Sequence, residues 1–138
     1  MKLTILLADY AEALNGKLYV MGGGWSVTNP EPLPMALALK VEVPWDQSNR
    51  PHQLSIRLVD ADGQAVEQDS PEGRHPIEMG ADFEVGRPPG VKHGSPLDFA
   101  LALNIQRGPL ERDTRYSWVV YLDGETREEW SVSFSTRP

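Results

Sequence analysis

Alternation with a period of two runs through most of this chain, and it leaves little choice of fold class. Residues 35–43 carry the longest example: Met35, Leu37, Leu39, Val41 and Val43 are apolar, with Lys40 and Glu42 between them. Successive side chains of a β-strand point to opposite faces, so such a run has one face made for a core and one for water. Residues 2–8 repeat the pattern with Leu3, Ile5 and Leu7, and residues 17–22 with Leu18 and Val20. Residues 53–59 carry Leu54, Ile56 and Leu58; residues 77–85 carry Ile77, Met79, Ala81, Phe83 and Val85. Leu97, Phe99, Leu101, Leu103 and Ile105 form the next inward row.

The segments between these runs read as connections. A helical turn is expected at residues 10–14, and Asn15-Gly16 is turn chemistry before the strand at 17–22. Pro30, Pro32 and Pro34 predict a stiff link that cannot join a sheet interior. The polar stretch after Pro44, the D-A-D-G turn at 60–63 and a loop over 68–76 follow, with a short strand expected at 64–67. The longest loop is residues 86–96.

Residues 114–122 and 126–135 read as a hairpin around Asp123-Gly124. A two-residue loop would pair Trp118 with Glu129 and Ser117 with Trp130, mixing apolar and polar side chains on each face. A three-residue loop with glycine in the left-handed position lets Tyr116, Trp118 and Val120 share a face with Trp130, Val132 and Phe134. A bulged hairpin is therefore expected.

About eight to nine strands, each with one polar face, imply two antiparallel sheets packed face to face. The expectation is an all-β, two-sheet antiparallel β-sandwich of jelly-roll or Greek-key type, forming one domain over residues 1–138. That length buries a core without staples, and the 12 glycines and 12 prolines fall mostly between apolar runs. With no cysteines, disulfides, thiolate metal sites and cysteine nucleophiles are all excluded. Net charge is −7 and the basic residues are scattered. A phosphate backbone needs a concentrated basic face, so neither nucleic acid nor an anionic membrane is an expected partner. The apolar run from Leu3 to Ala8 is interrupted by Thr4 and stopped by Asp9, which is short for a signal peptide; a cytoplasmic location is expected.

Candidate sites are few. The motif A-L-A-L occurs at 36–39 and again at 100–103, so Ala36, Ala38, Ala100 and Ala102 point away from the core. If the two strands are neighbours, they make a flat small-residue patch, either covered by a proline-rich loop (27–34 or 86–96) or used as a dimer or partner interface. Trp118 and Trp130 belong to the core by periodicity, whereas Trp25 and Trp45 sit at strand–turn boundaries. Trp45 precedes Asp46 and Arg50 in a dense polar turn, so Trp25, Trp45, Asp46 and Arg50 are candidates for a ligand or carbohydrate site with a stacking platform. The plainer reading has Trp45 closing the end of the core.

Other motifs carry less. The run N-G-K-L-Y-V-M-G-G is close to a kelch blade, but no repeat follows, and Gly22-Gly23-Gly24 reads as a bulge or close backbone crossing. D-A-D-G places glycine fourth, which does not suit an EF-hand loop. His52, His75 and His93 lack metal-ligand spacing and read as solvated loop residues. There is no nucleophile elbow. No catalytic residue, metal or cofactor is expected.

The opening strand ending L-A-D, then N-G-K-L-Y-V-M-G-G-G-W-S-V, A-L-K-V-E-V-P-W-D and L-V-D-A-D-G, resembles an uncharacterised family of bacterial β-sandwich domains of unknown function. The resemblance covers about the first half of the chain. It implies a small β-sandwich with no assigned activity and no catalytic residues to transfer. The functional expectation is a non-catalytic interaction module that docks a protein partner or a second copy of itself. The alternative is a small-ligand or carbohydrate binder using the loop tryptophans.

Overall fold

The computed structural model describes residues 1–138 and is all-β. In chain order the strands are β1 (Lys2–Ala8), β2 (Tyr10–Leu14), β3 (Lys17–Met21), β4 (Val27–Thr28), β5 (Leu33–Val43) and β6 (His52–Asp60). Then come β7 (Glu67–Ser70), β8 (Gly73–Pro76), β9 (Glu78–Phe83), β10 (Leu97–Arg107), β11 (Arg115–Leu122) and β12 (Ser131–Thr136). One sheet has the order β1-β5-β10 and a second the order β4-β12-β11-β6-β9, with β2-β3 and β7-β8 as two-stranded ribbons. All pairings are antiparallel except β4 with β12.

The expected inward rows meet in one cluster. Met35, Leu37, Leu39, Val41 and Val43 of β5 are fully buried, and they share it with Leu54, Ile56 and Leu58 of β6 and Trp118 and Val120 of β11. Fully burying each such side chain is worth about 1.5–3 kcal/mol, which makes this seam the chief source of stability. The inward residues of β10 are only half-buried apart from Leu97, because β10 ends its sheet.

Twelve strands replace the expected eight to nine. Two corrections account for most of the difference. Residues 10–14 form a strand rather than a helical turn, because Asn15 (φ 52°) and Gly16 (φ 73°) make a two-residue turn that folds β3 back on β2. The expected loop at 68–76 is instead the hairpin β7–β8, exposed along both strands. Pro34, assigned to a link, lies inside β5; β1 pairing ends at Ala36, so no ladder bond from Pro34 is missed on that side.

The closing hairpin has the expected faces and a different loop. Tyr116 pairs with Phe134 and Trp118 with Val132. Asp123 (φ 52°) and Gly124 (φ 80°) form a two-residue turn closed by Leu122 and Glu125. The bulge falls after it: Trp130 N–H donates to Arg127 O at 3.0 Å, and the Thr126 hydroxyl donates to Val120 O at 2.7 Å. That second turn resets the register and keeps Trp130 inside.

The three glycines mark a close crossing, as their spacing suggested. Asp9 N–H donates to Met21 O (3.1 Å) and to Gly22 O (3.2 Å), a bulge that lifts the chain off β1 and onto the sheet's outer face. Gly22 has φ 61°, and a Cβ there would stand 2.2 Å from Asp9 Oδ2. A Cβ on Gly23 would meet Val20 and Leu6 at 2.7 and 2.9 Å.

Candidate functional site

The outer face of the β1-β5-β10 sheet is where the sequence placed its small-residue patch. The two A-L-A-L strands are neighbours, with Ala38 directly opposite Ala102 and flanked on the other side by Leu6. The next row reads Ala8, Ala36, Asn104. Neither proline-rich loop covers this patch. The β2–β3 hairpin does: Ala11 is fully buried against Ala8, Ala36 and Ala38, with Leu18 and Ala102 packed around them. Small side chains are needed because a second backbone layer lies directly on the first. Ala36 and Ala38 are thus buried within the chain, and Ala100 and Ala102 are half-buried.

One exposed side chain fastens this lid. Asn104 Nδ2 donates to Ala11 O (2.8 Å), and Ala11 N–H donates to Asn104 Oδ1 (3.3 Å). The amide thus imitates a neighbouring strand. It also fixes the hydrogen-bond phase of the ribbon. Since both main-chain groups of Ala11 point toward Asn104, Ala11 and Val20 form a pair without mutual hydrogen bonds.

The hairpin's upper face is apolar at four of its six positions. Tyr10 pairs with Met21, Glu12 with Tyr19 and Leu14 with Lys17, so these six side chains share one side. Four are large and exposed: Tyr10 (43%), Leu14 (56%), Tyr19 (52%) and Met21 (67%). Leu6 and Val20 add further exposed apolar surface at the flank. At about 150–250 Å² for a full aromatic side chain, the group presents on the order of 500 Å² of apolar surface. That is the size of patch that in monomers is often functional. The Tyr10 hydroxyl donates to Glu12 Oε1 at 2.5 Å. This bond, then burial and the Glu12 charge, raises the Tyr10 phenol above its ordinary pKa.

The tryptophan candidates lie elsewhere and are not together. Trp45 opens a single 3₁₀ turn, Trp45–Gln47. The Arg87 guanidinium lies 4.1 Å from the centre of its ring, and the His93 ring centre is 4.7 Å away. Arg87 also donates to Ser48 Oγ (2.7 Å) and Trp45 O (2.9 Å), while Ser48 Oγ donates to Trp45 O (2.7 Å). Trp45 and Asp46 line a cleft of about 530 Å³ with Lys2, Glu42, Pro44 and Pro96. Arg50 is exposed and lies outside that wall. Trp25 is half-buried, edge-on to Phe134 at 5.9 Å.

Two residues that spacing did not single out hold the Trp45 corner. His52, expected in solvent, is 2% exposed inside β6 and packs on Phe83. Its Nε2 meets Gln47 O at 2.8 Å and its Nδ1 meets Asp123 Oδ2 at 2.7 Å. Both partners are oxygen atoms, one of a carbonyl and one of a carboxylate. Asp123 also accepts from Gln53 N–H at 2.9 Å. Burial pushes its carboxyl up, but the Gln53 and His52 hydrogen bonds and the charges of His52 and Arg50 outweigh that and leave it below the usual range. Arg107, 4% exposed, likewise serves structure, donating to the carbonyls of Asn29, Pro30, Glu31 and Gly108. Burial lowers its pKa against the opposing charges of Glu31 and Tyr116.

Sheets sharing one core, a ribbon laid over a small-residue face and exposed apolar side chains on top of that ribbon define the class of this chain, which is all-β. No three His, Asp or Glu side chains converge as metal ligands, and no helix is long and apolar enough to cross a membrane. The chain belongs to a family of unknown function (DUF6941), whose model matches residues 3–134. No curated protein matches it.

Proposed function

We propose that this domain is a non-catalytic, cytoplasmic interaction module on a two-sheet β-sandwich frame, and that it docks protein through the upper face of the β2–β3 hairpin. The observation that carries this is the row of Tyr10, Leu14, Tyr19 and Met21, exposed on one face. Aromatic residues and methionine are the side chains that interface cores favour. The ribbon holds one Glu and one Lys, so this face is close to neutral on a chain of net charge −7. Placing a photo-crosslinker at position 21, with position 115 on the far sheet as control, tests the reading. Protein adducts from position 21 and none from 115 support it; no adduct from position 21 overturns it.

The cleft beside Trp45 and Asp46 supports a second reading, a small-ligand or carbohydrate binder. Against it, Arg87 already occupies one face of the Trp45 ring. Titrating sugars while following tryptophan fluorescence, with Trp45→Ala as control, decides: a saturable change lost in the variant favours binding, and no change removes it.

A further inference from the structure

We infer that the partner at this hairpin is a second copy of the chain, joined edge to edge through β3 about a two-fold axis at Tyr19. The inference rests on the docking reading above and places a second copy along the β3 edge that borders that face. Its first support is that β3 has β2 as its sole neighbour, so its other edge is unpaired. The second is the phase that Asn104 fixes. Because Ala11 points its main-chain groups away from β3, Val20 and Leu18 point theirs to the open edge. An antiparallel copy centred on Tyr19 sets Leu18 against the partner's Val20 and Val20 against the partner's Leu18. Every free edge group of these residues then has a partner, in the two close-spaced hydrogen-bond pairs of an antiparallel ladder.

The side chains agree with this register. Tyr19 meets the partner's Tyr19 at the position where cross-strand side chains come closest. Lys17 falls beside the partner's Met21, so its methylene stem covers the most exposed apolar side chain of the hairpin and no like charges are opposed. Both faces are open along this edge: Tyr19, Val20 and Met21 are consecutive and all exposed, although neighbours in a strand face opposite sides. From Leu18 to Met21 the edge carries no charge, proline or bulge, with Lys17 at its start, and an open apolar edge of this kind is what folded monomers ordinarily avoid.

The area sets the strength. Pairing two five-residue edges covers on the order of 600 Å² in total, below the range of stable specific interfaces, so only a weak, transient and concentration-dependent dimer is expected. Two chains of net charge −7 repel at long range. Added salt screens that repulsion while leaving the main-chain bonds, and therefore strengthens the dimer.

Sedimentation velocity over a micromolar-to-millimolar series, with amide exchange at both ends, tests this. The expected result is a dimer that grows with concentration and salt, is lost in Tyr19→Lys, and slows exchange at Leu18 and Val20 at least tenfold. The amide readout uses the unaltered chain and so does not depend on how the variant folds. A monomer throughout, or a dimer with Leu18 and Val20 amides still fast, overturns the inference. Position-21 adducts to a different protein, with the purified chain monomeric, would sink the second copy and leave the docking reading standing.

Discussion

Replacing Asn104 with alanine should loosen the hairpin without unfolding the domain. The side chain makes two hydrogen bonds to Ala11, a residue with no exposed surface. Each is worth about 1 kcal/mol net, so the variant should lose roughly 2 kcal/mol. The loss is local. Ala11 belongs to the alanine cluster, which is separate from the cluster that joins the two larger sheets. The hairpin can therefore open while Leu39, Ile56 and Trp118 stay packed. Native-state amide exchange reads this directly: Glu12 and Tyr19, which bond each other across the ribbon, should exchange about 30-fold faster. Val120, whose N–H donates to Trp130 O at 2.9 Å, should not change. The experiment belongs at low concentration, where self-association does not contribute. Unchanged rates at Glu12 and Tyr19, or equal acceleration at Val120, would refute the view that Asn104 latches an independently opening lid.

Three further outcomes follow from other contacts. Gly22→Ala forces a Cβ against Asp9 at φ 61° and should cost about 1–2 kcal/mol in urea denaturation; an unchanged midpoint would show that the crossing is not tight. Asp123 sits below the usual carboxylate range, so its contribution is present at neutral pH and lost as pH falls through its folded value. Asp123→Asn keeps the left-handed turn and should cost about 1 kcal/mol at pH 7, discounted because the side chain is half exposed; the gap between the variants should close on acidification, and a pH-independent gap would contradict this. Arg107→Met leaves the carbonyls of Asn29, Glu31 and Gly108 without their guanidinium donor, while Pro30 O keeps the Leu110 N–H, and should destabilise by about 2–4 kcal/mol; a neutral effect would show that solvent replaces the guanidinium.

How legible this was in the sequence depended on how local the signal is. Period-two rows such as 35–43 and 53–59 gave the strands and their buried faces, because alternation is a property of each strand alone. The pairing of the two A-L-A-L segments was visible only as a condition, since neighbours in a sheet are fixed by long-range packing. The hairpin was missed for a definable reason. Y-A-E-A-L is rich in good helix formers, which masks the hairpin signal of Asn15-Gly16 between its flanks. His52 looked like a loop residue because its partner Asp123 is 71 positions away. Asn104 and Arg107 carried no signal at all: a single amide and a single guanidinium bond main chain that only the fold brings near. The candidate set Trp25, Trp45, Asp46 and Arg50 came from exposure at turns, and the fold brings just Trp45 and Asp46 to one wall.

The most direct test of the docking claim uses the methionines as reporters. Met21 is 67% exposed on the hairpin, Met79 is half-buried on the far sheet and Met35 is fully buried. Oxidative footprinting should modify Met21 first and Met35 last in dilute purified protein. Inside the cell, the account predicts that Met21 becomes protected relative to Met79. Equal reactivity of Met21 in the two settings would contradict it.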